Sequence, residues 1–97
     1  MNDRLELFNI LKNYKMEHQS EFEIEKLGVF GSFARSQETD ISDIDVVIRT
    51  KRPNLFRLSK IRLELESLLH KHVDIVCYRD RMNQYLKKRI DEEAIYV

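Results

Sequence analysis

The sequence predicts an α+β fold, a small mixed β-sheet with helices packed mainly on one face. Helical and strand-like hydrophobic patterns follow one another in the order α-β-β-α-β-α. The first two strands are joined by a short loop and are expected to be antiparallel neighbours, whereas the third returns after a helix. A chain of 97 residues is long enough for one hydrophobic core and too short for two, so residues 1–97 are expected to form a single domain.

Apolar residues at helical spacing predict three amphipathic helices. The predicted helices cover residues 3–18, about 54–70 and about 82–93. In the first, Leu5, Phe8 and Leu11 share one face, and in the last, Tyr85 and Ile90 are expected to face inward. In the second, the apolar positions are Leu55, Leu58, Ile61, Leu65, Leu68 and Leu69. Each helix therefore has an apolar side to bury.

Apolar runs predict three strands. They cover about 26–30, about 43–49 and 73–78. Asp74 is the exception in the third run, because a carboxylate is costly to bury in an apolar strand unless something pairs with it. This residue therefore becomes a candidate for a function.

Composition limits the classes of protein to consider. Hydrophobic residues make up 42% and charged residues 35% of the chain, which is typical of a globular domain. The 17 basic and 17 acidic residues cancel, so nucleic acid is not expected as a direct ligand. The single cysteine, Cys77, cannot form an internal disulfide, and neither a leader nor a membrane span is evident. We therefore expect a cytoplasmic protein.

The pair Gly31-Ser32 has the features of a phosphate-binding turn. It directly follows an apolar strand-like run and precedes a short predicted helical turn. Glycine lets backbone N–H groups approach a phosphate closely, and a helix start adds a favourable dipole. Ser32 would donate to a phosphate or cap the turn, and Arg35 would contact phosphates or form a structural ion pair.

Two acids one residue apart, Asp43 and Asp45, follow on the next strand. Residues i and i+2 of a strand project from the same face, with Cα atoms roughly 6.5 Å apart. A crossover helix would bring Asp74 beside them, and carboxylates are the ligands that Mg²⁺ prefers. The alternative is that Asp43 caps a turn and that Asp45 and Asp74 face solvent. Beside the Gly-Ser turn, the acids favour metal-assisted chemistry on a nucleoside triphosphate.

Other polar residues are interpreted as structural. Ser42 is expected to hydrogen-bond the loop backbone. His70 and His72 are interpreted as cations stabilised by the dipole at the end of the second helix, because no cluster at zinc-ligand spacing surrounds them. Cys77 is expected to pack in the core.

The combined motif, Gly31 to Arg35 followed by Ser42 to Val47, resembles the signature of the DNA polymerase beta nucleotidyltransferase superfamily. The short chain resembles its minimal nucleotidyltransferase (MNT) group, the antitoxins of HEPN/MNT toxin–antitoxin pairs. The resemblance extends over nearly the whole chain. It departs at Ser36, a position where the family commonly has a glycine that is able to use backbone conformations which serine adopts reluctantly.

The resemblance implies a polymerase-beta-like core and a role for each residue of the motif. The implied nucleotide-binding residues are Gly31, Ser32, Arg35 and Ser42, and the implied catalytic and metal-binding residues are Asp43, Asp45 and Asp74. Mg²⁺, as two ions, would assist transfer of AMP from ATP to a hydroxyl. The implied acceptor is a tyrosine of a HEPN-type ribonuclease encoded nearby.

Two alternatives remain open. The first is that the chain neutralises its partner by contact alone, using apolar residues of the last helix and of the segment 95–97. A nucleotidyltransferase acting on a small hydroxylated molecule, such as an aminoglycoside, is the other alternative. A homodimer or a mixed complex is compatible with either, because so small a domain leaves surface to cover.

Overall fold

The computed structural model describes residues 3–39 and 41–97. Their helices are α1 (Asp3–His18), α2 (Leu55–Leu69) and α3 (Gln84–Glu93), and their strands are β1 (Ile24–Phe30), β2 (Ile44–Thr50), β3 (Val73–Cys77) and β4 (Ile95–Tyr96). The predicted order α-β-β-α-β-α is confirmed. The short β4 was not predicted. No helix in these two ranges is long and apolar enough to cross a membrane.

The four strands form one mixed sheet in the order β3-β2-β1-β4. β1 pairs antiparallel with β2, as predicted, and β3, which returns after α2, pairs in parallel with β2. β4 adds to the free edge of β1, also antiparallel. The register sets Asp45 beside Asp74 on β3 and beside Phe30 on β1. The strands thus bring distant parts of the motif together.

Two of the three helices cover one face of the sheet. Side chains from α1, α2 and the facing side of β1, β2 and β3 form the larger core, and α3 covers the other face around Phe30, Val47 and Ile90. The fully buried members of the larger core are Leu11, Leu27, Val29, Ile44, Val46, Ile48, Ile61, Leu65 and Val73. Because side chains alternate along a strand, Asp45 and Val47 of β2 share the face that α3 covers.

The buried faces of the helices differ in part from those predicted. In α1 the inward positions are Leu7, Leu11 and Tyr14, whereas Leu5 is 60% exposed. Position 5 lies half a turn away from position 7, so it points to solvent. In α3 the prediction for Ile90 is confirmed and that for Tyr85 is wrong, since Tyr85 is 74% exposed.

Asparagine side chains begin the second and third helices. The carboxamide oxygen of Asn54 accepts from the Arg57 backbone N–H at 3.1 Å, and that of Asn83 accepts from the Leu86 N–H at 2.9 Å. Each cap satisfies a backbone donor that the helix leaves unpaired. Leu55, placed on the apolar face of α2 by the sequence, is 81% exposed, because it is the first helical residue.

Candidate active site

The turn after β1 requires glycine at its first position. Gly31 adopts φ = +74°, a left-handed conformation that other residues rarely adopt, and an added Cβ would collide with the carboxylate of Asp45. Ser32 and Arg35 lie on the same turn. Its helical character is confirmed by a bond from the Arg35 backbone N–H to the Gly31 carbonyl at 3.1 Å.

The three predicted acids converge at one end of the sheet. Asp43 directly precedes β2, Asp45 lies on β2, and Asp74 lies beside Asp45 on β3. Ligand atoms of Asp43, Asp74 and His72 all lie within 4.8 Å of one another. Asp45 is more enclosed than these exposed residues and faces the Gly31 turn. The pairing of β2 with β3 therefore creates an acidic site next to the turn.

The charge of Asp45 is disfavoured where it lies. Burial, followed by the nearby charge of Asp74, raises the pKa of the Asp45 carboxyl, and Asp43 adds to this effect. The guanidinium groups of Arg89 and Arg35 oppose the rise in pKa without cancelling it. A divalent cation between the carboxylates would offset their repulsion, and oxygen donors are the ligands of Mg²⁺. The donor set thus fits the metal that the resemblance implies.

Glu93, at the end of α3, contacts the turn directly. Its Oε2 accepts from the Gly31 backbone N–H at 3.1 Å and from the Arg35 guanidinium at 3.0 Å. Arg89 lies 3.8 Å from the same oxygen. The Glu93 carboxylate therefore occupies the Gly31 N–H and the Arg35 guanidinium, two donors that the sequence analysis assigns to a phosphate. Sequence reasoning missed Glu93, because no spacing rule connects a residue of the last helix to a turn 62 positions earlier.

The loop between β1 and β2 contains two serines of interest. The hydroxyl of Ser42 accepts from the Thr39 backbone N–H at 2.8 Å, which agrees with the structural interpretation of this residue. Ser36 adopts φ = +58°, so the left-handed conformation suited to glycine is present with a serine side chain. A contact of Ser42 with nucleotide stays a prediction.

His72 belongs to the acidic site, which sequence reasoning missed. α2 ends at Leu69, and the interpretation of His72 as a cation at the end of that helix is wrong. It directly precedes β3, with its Nε2 3.4 Å from Asp74 Oδ1 and its Nδ1 2.9 Å from Glu66 Oε2. The pattern His-x-Asp has the same i, i+2 spacing as Asp43 and Asp45, so the strand argument would have found it.

Comparison with known families identifies the class of protein that this site and fold define. Residues 11–97 match the family described as "Nucleotidyltransferase domain". The chain belongs to this family and is a nucleotidyltransferase. The predicted resemblance to a nucleotidyltransferase family is thereby confirmed over residues 11–97.

Two similar proteins are both named for protein adenylyltransferase activity. The chain is 30% identical over 93 residues to protein adenylyltransferase MntA of Thermococcus cleftensis, an alignment that covers 95% of this chain and 93% of the relative. It is 34% identical over 93 residues to the Methanocaldococcus jannaschii protein MJ0126, provisionally named a protein adenylyltransferase, with 95% of both chains covered.

Solved structures share the fold. A provisionally identified minimal nucleotidyltransferase superposes with a TM-score of 0.76 at 28% identity, covering 94% of this chain and 93% of the other. A toxin–antitoxin complex with AMP-PNP gives 0.73 at 18% identity, covering 88% and 70%. The MNT antitoxin complex with a tri-AMPylated HEPN toxin of Shewanella oneidensis gives 0.66 at 16% identity, covering 91% and 69%. The α+β architecture is thus that of minimal nucleotidyltransferases.

Proposed function

We propose that this protein transfers AMP from ATP to a tyrosine hydroxyl of a HEPN-type partner protein and thereby acts as an antitoxin. The observation that carries the proposal is the convergence of Asp43, Asp45 and Asp74 beside the Gly31-Ser32 turn. The relatives named for protein adenylylation support the protein acceptor. The acidic site alone would fit any nucleotidyl transfer.

On the nucleotide side, the turn would bind the triphosphate. The Ser32 hydroxyl would donate to phosphate oxygens, and the Gly31 N–H and the forked donors of Arg35 would do so by exchanging the Glu93 carboxylate for the phosphate. Asp43, Asp45 and Asp74 would hold Mg²⁺. When bound, the metal supplies positive charge that offsets the charge of the phosphates and of the reacting oxygens.

In the reaction, the acceptor oxygen would attack the α-phosphorus of ATP. The new bond joins that oxygen to phosphorus, the bond between the α-phosphorus and the bridging oxygen breaks, and pyrophosphate leaves. Asp74 would orient the attacking hydroxyl, whose proton passes to solvent. Positioning and electrostatic stabilisation supply most of the acceleration in phosphoryl-type transfer.

On the acceptor side, an open pocket lies next to Asp74. It is lined by side chains of α2 and β3, among them Leu55, Leu58, Arg62 and Ile75. Apolar walls that end at a carboxylate suit an aromatic ring carrying a hydroxyl. This pocket supports a tyrosine as the acceptor. Added AMP would bring negative charge and bulk to the partner, which would block a ribonuclease site.

The proposal is tested by co-expression with the HEPN-type protein encoded nearby. Intact mass spectrometry of that partner would compare the wild type with the Asp43→Asn/Asp45→Asn double variant. Asp80→Asn is the matched control, because this exposed acid lies outside the site and its ion pair with Arg49 is long, at 3.9 Å. We expect AMP-sized additions with the wild type and the control, and none with the double variant.

Two outcomes would contradict the proposal. A stable complex without added mass, whose partner stays neutralised by the double variant, would favour an antitoxin that acts by contact. The exposed Tyr85 and Tyr96 on α3 and β4 would then be candidates for the binding surface. Modification of an aminoglycoside by the purified chain alone would favour a small-molecule substrate.

A further inference from the structure

A nitrogen ligand is present among the carboxylates of the active site. Asp43, His72 and Asp74 each offer one ligand atom, and these three atoms lie within 4.8 Å of one another. His72 and Asp74 come from the start of β3, and Asp43 comes from the loop that leads into β2. All three side chains are exposed, so an ion from solvent would reach them without a rearrangement of the core.

The ring of His72 is oriented by a second carboxylate. Glu66 Oε2 lies 2.9 Å from His72 Nδ1 and accepts from the Val73 backbone N–H, also at 2.9 Å. The other oxygen of Glu66 accepts from Arg62 at 3.1 Å. A proton on Nδ1, which faces Glu66, would leave Nε2 as the nitrogen that faces Asp74 and is able to bind a metal ion.

This arrangement is the one that metal-binding histidines use. Their second ring nitrogen almost always donates to a carboxylate or carbonyl, which fixes both the tautomer and the orientation of the ring. Glu66 lies outside the cluster of Asp43, His72 and Asp74, and it accepts from the Val73 backbone N–H and from Arg62. The Glu66 contacts are therefore an observation separate from the acidic cluster.

We propose that His72 Nε2 is a ligand of the divalent ion held by Asp43 and Asp74. The inference rests on the proposed function, since it takes these two carboxylates as metal ligands. An imidazole nitrogen binds first-row transition ions better than it binds Mg²⁺, which prefers oxygen ligands. The selectivity of the site for Mn²⁺ over Mg²⁺ is therefore greater than that of a site made of carboxylates alone.

The test measures the binding of Mn²⁺ alone and of Mg²⁺ alone to the full chain, without nucleotide. His72→Asn is the informative variant, because its amide nitrogen would keep a donor towards Glu66 while Nε2 is lost. His70→Asn is the matched control, since His70 caps α2 in a left-handed conformation that asparagine tolerates. Calorimetry gives the affinities, and pulsed paramagnetic resonance of bound Mn²⁺ reports a directly bonded ¹⁴N.

We expect His72→Asn to lower the affinity for Mn²⁺ about tenfold, to change that for Mg²⁺ less, and to remove the ¹⁴N coupling. His70→Asn should change none of these. Equal thermal transitions of the three proteins without metal would show that the variants fold.

The failure of this inference is distinguishable from that of the proposed function. If Asp43→Asn weakens Mn²⁺ binding but His72→Asn preserves both the affinity and the ¹⁴N coupling, the metal site stands and the nitrogen ligand is wrong. If neither Asp43→Asn nor Asp74→Asn weakens Mn²⁺ binding, both the inference and the metal part of the proposed function are overturned.

Discussion

At the scale of single residues, the site combines a strained backbone with charges placed close together. Gly31 and Ser36 both adopt left-handed conformations within one six-residue turn. Asp45 is placed against the first of them and beside the charge of Asp74. Ser36, through its backbone conformation, and Asp45, through its disfavoured charge, each cost stability, so substitutions at these two positions are informative about both folding and function.

Asp45 allows this cost to be measured. Because burial and the charge of Asp74 disfavour its ionised form, Asp45→Asn should raise the melting temperature of the metal-free protein at pH 7 while abolishing AMP transfer. Differential scanning calorimetry in a chelator would measure the first effect. Asp80→Asn, outside the site, should leave both quantities unchanged. A lower melting temperature for Asp45→Asn would contradict the electrostatic argument.

Ser36 allows the strain of the turn to be measured. A left-handed conformation costs an L-residue roughly 1–2 kcal/mol, and glycine loses about 0.5–1 kcal/mol more in conformational entropy on folding. Ser36→Gly should therefore raise the free energy of unfolding by about 0.5 kcal/mol. Urea denaturation would measure it. Ser59→Gly, within α2, has no such strain to relieve and should lower the same quantity.

The sequence predicted much of the site at this scale. The Gly-Ser turn and the three acids were found because a strand places residues i and i+2 on one face, and their convergence depends on a strand pairing that the connections implied. His72 was missed because the helix was expected to end at about residue 70, next to it. Glu93 was missed for a different reason, since only tertiary packing brings α3 onto the turn.

At the scale of elements, ion pairs connect the sheet with α2 at the end of the sheet opposite the site. Glu23, in the turn before β1, accepts from Arg52 at 3.0 Å and from Arg57 at 3.4 Å. These contacts connect the turn before β1 with Arg52, between β2 and α2, and with Arg57, in the first turn of α2. They tie together three elements whose packing positions the motif.

The Glu23 contacts should make stability depend on acid. The hydrogen bond from Arg52, with further contributions from Arg57, lowers the pKa of the Glu23 carboxyl below its usual value. A lowered pKa means that the unfolded chain binds more protons, so this stabilisation is present above the usual carboxyl pKa and is lost as the pH falls through the folded-state pKa. Glu23→Gln should lower the melting temperature at pH 7 and reduce its loss on acidification.

Thermal denaturation between pH 7 and pH 3 would measure both effects. Glu25→Gln is a suitable control, because Glu25 is exposed and its pair with Arg49 is longer, at 3.7 Å. An equal acid dependence for Glu23→Gln and the wild type would contradict the argument.

Elements were predictable where their signals were local. Helical spacing and apolar runs located all three helices and the three longer strands, with ends displaced by one or two residues. The inward orientation predicted for Leu5 and Tyr85 was wrong, because a hydrophobic pattern does not show which apolar positions of a helix the neighbouring layer covers. β4 was missed because two residues give no pattern, and it exists only through pairing with Gly28 and Val29 of β1.

At the scale of the whole molecule, ligand binding should stabilise the fold. A ligand that binds only the folded state adds RT ln(1 + [L]/Kd), about 2.7 kcal/mol at a hundredfold excess over Kd. ATP with Mg²⁺ should therefore raise the melting temperature of the wild type. The rise should be largely lost in a chelator and in Asp43→Asn/Asp45→Asn, and kept in Asp80→Asn. Thermal denaturation with and without nucleotide would measure it.

The fold class followed from the order of elements, and the family followed from the motif. The acceptor follows from neither, because neither the order of elements nor the motif specifies which hydroxyl is modified. The pocket beside Asp74 is formed by side chains of both α2 and β3, so it exists only once the helix has packed beside that strand.

The parallel pairing of β2 with β3 has a consequence for folding fidelity. β3 is apolar on both faces except at Asp74, so its hydrophobic residues alone would tolerate an alignment displaced by one position. Such a slip would turn Asp74 towards the core under α1 and α2, where an unpaired carboxylate is costly. Asp74, the acid proposed to act in catalysis, thus also favours the correct alignment of its own strand. A structure in which β3 is misaligned would be less stable than the native fold, because it would bury this carboxylate.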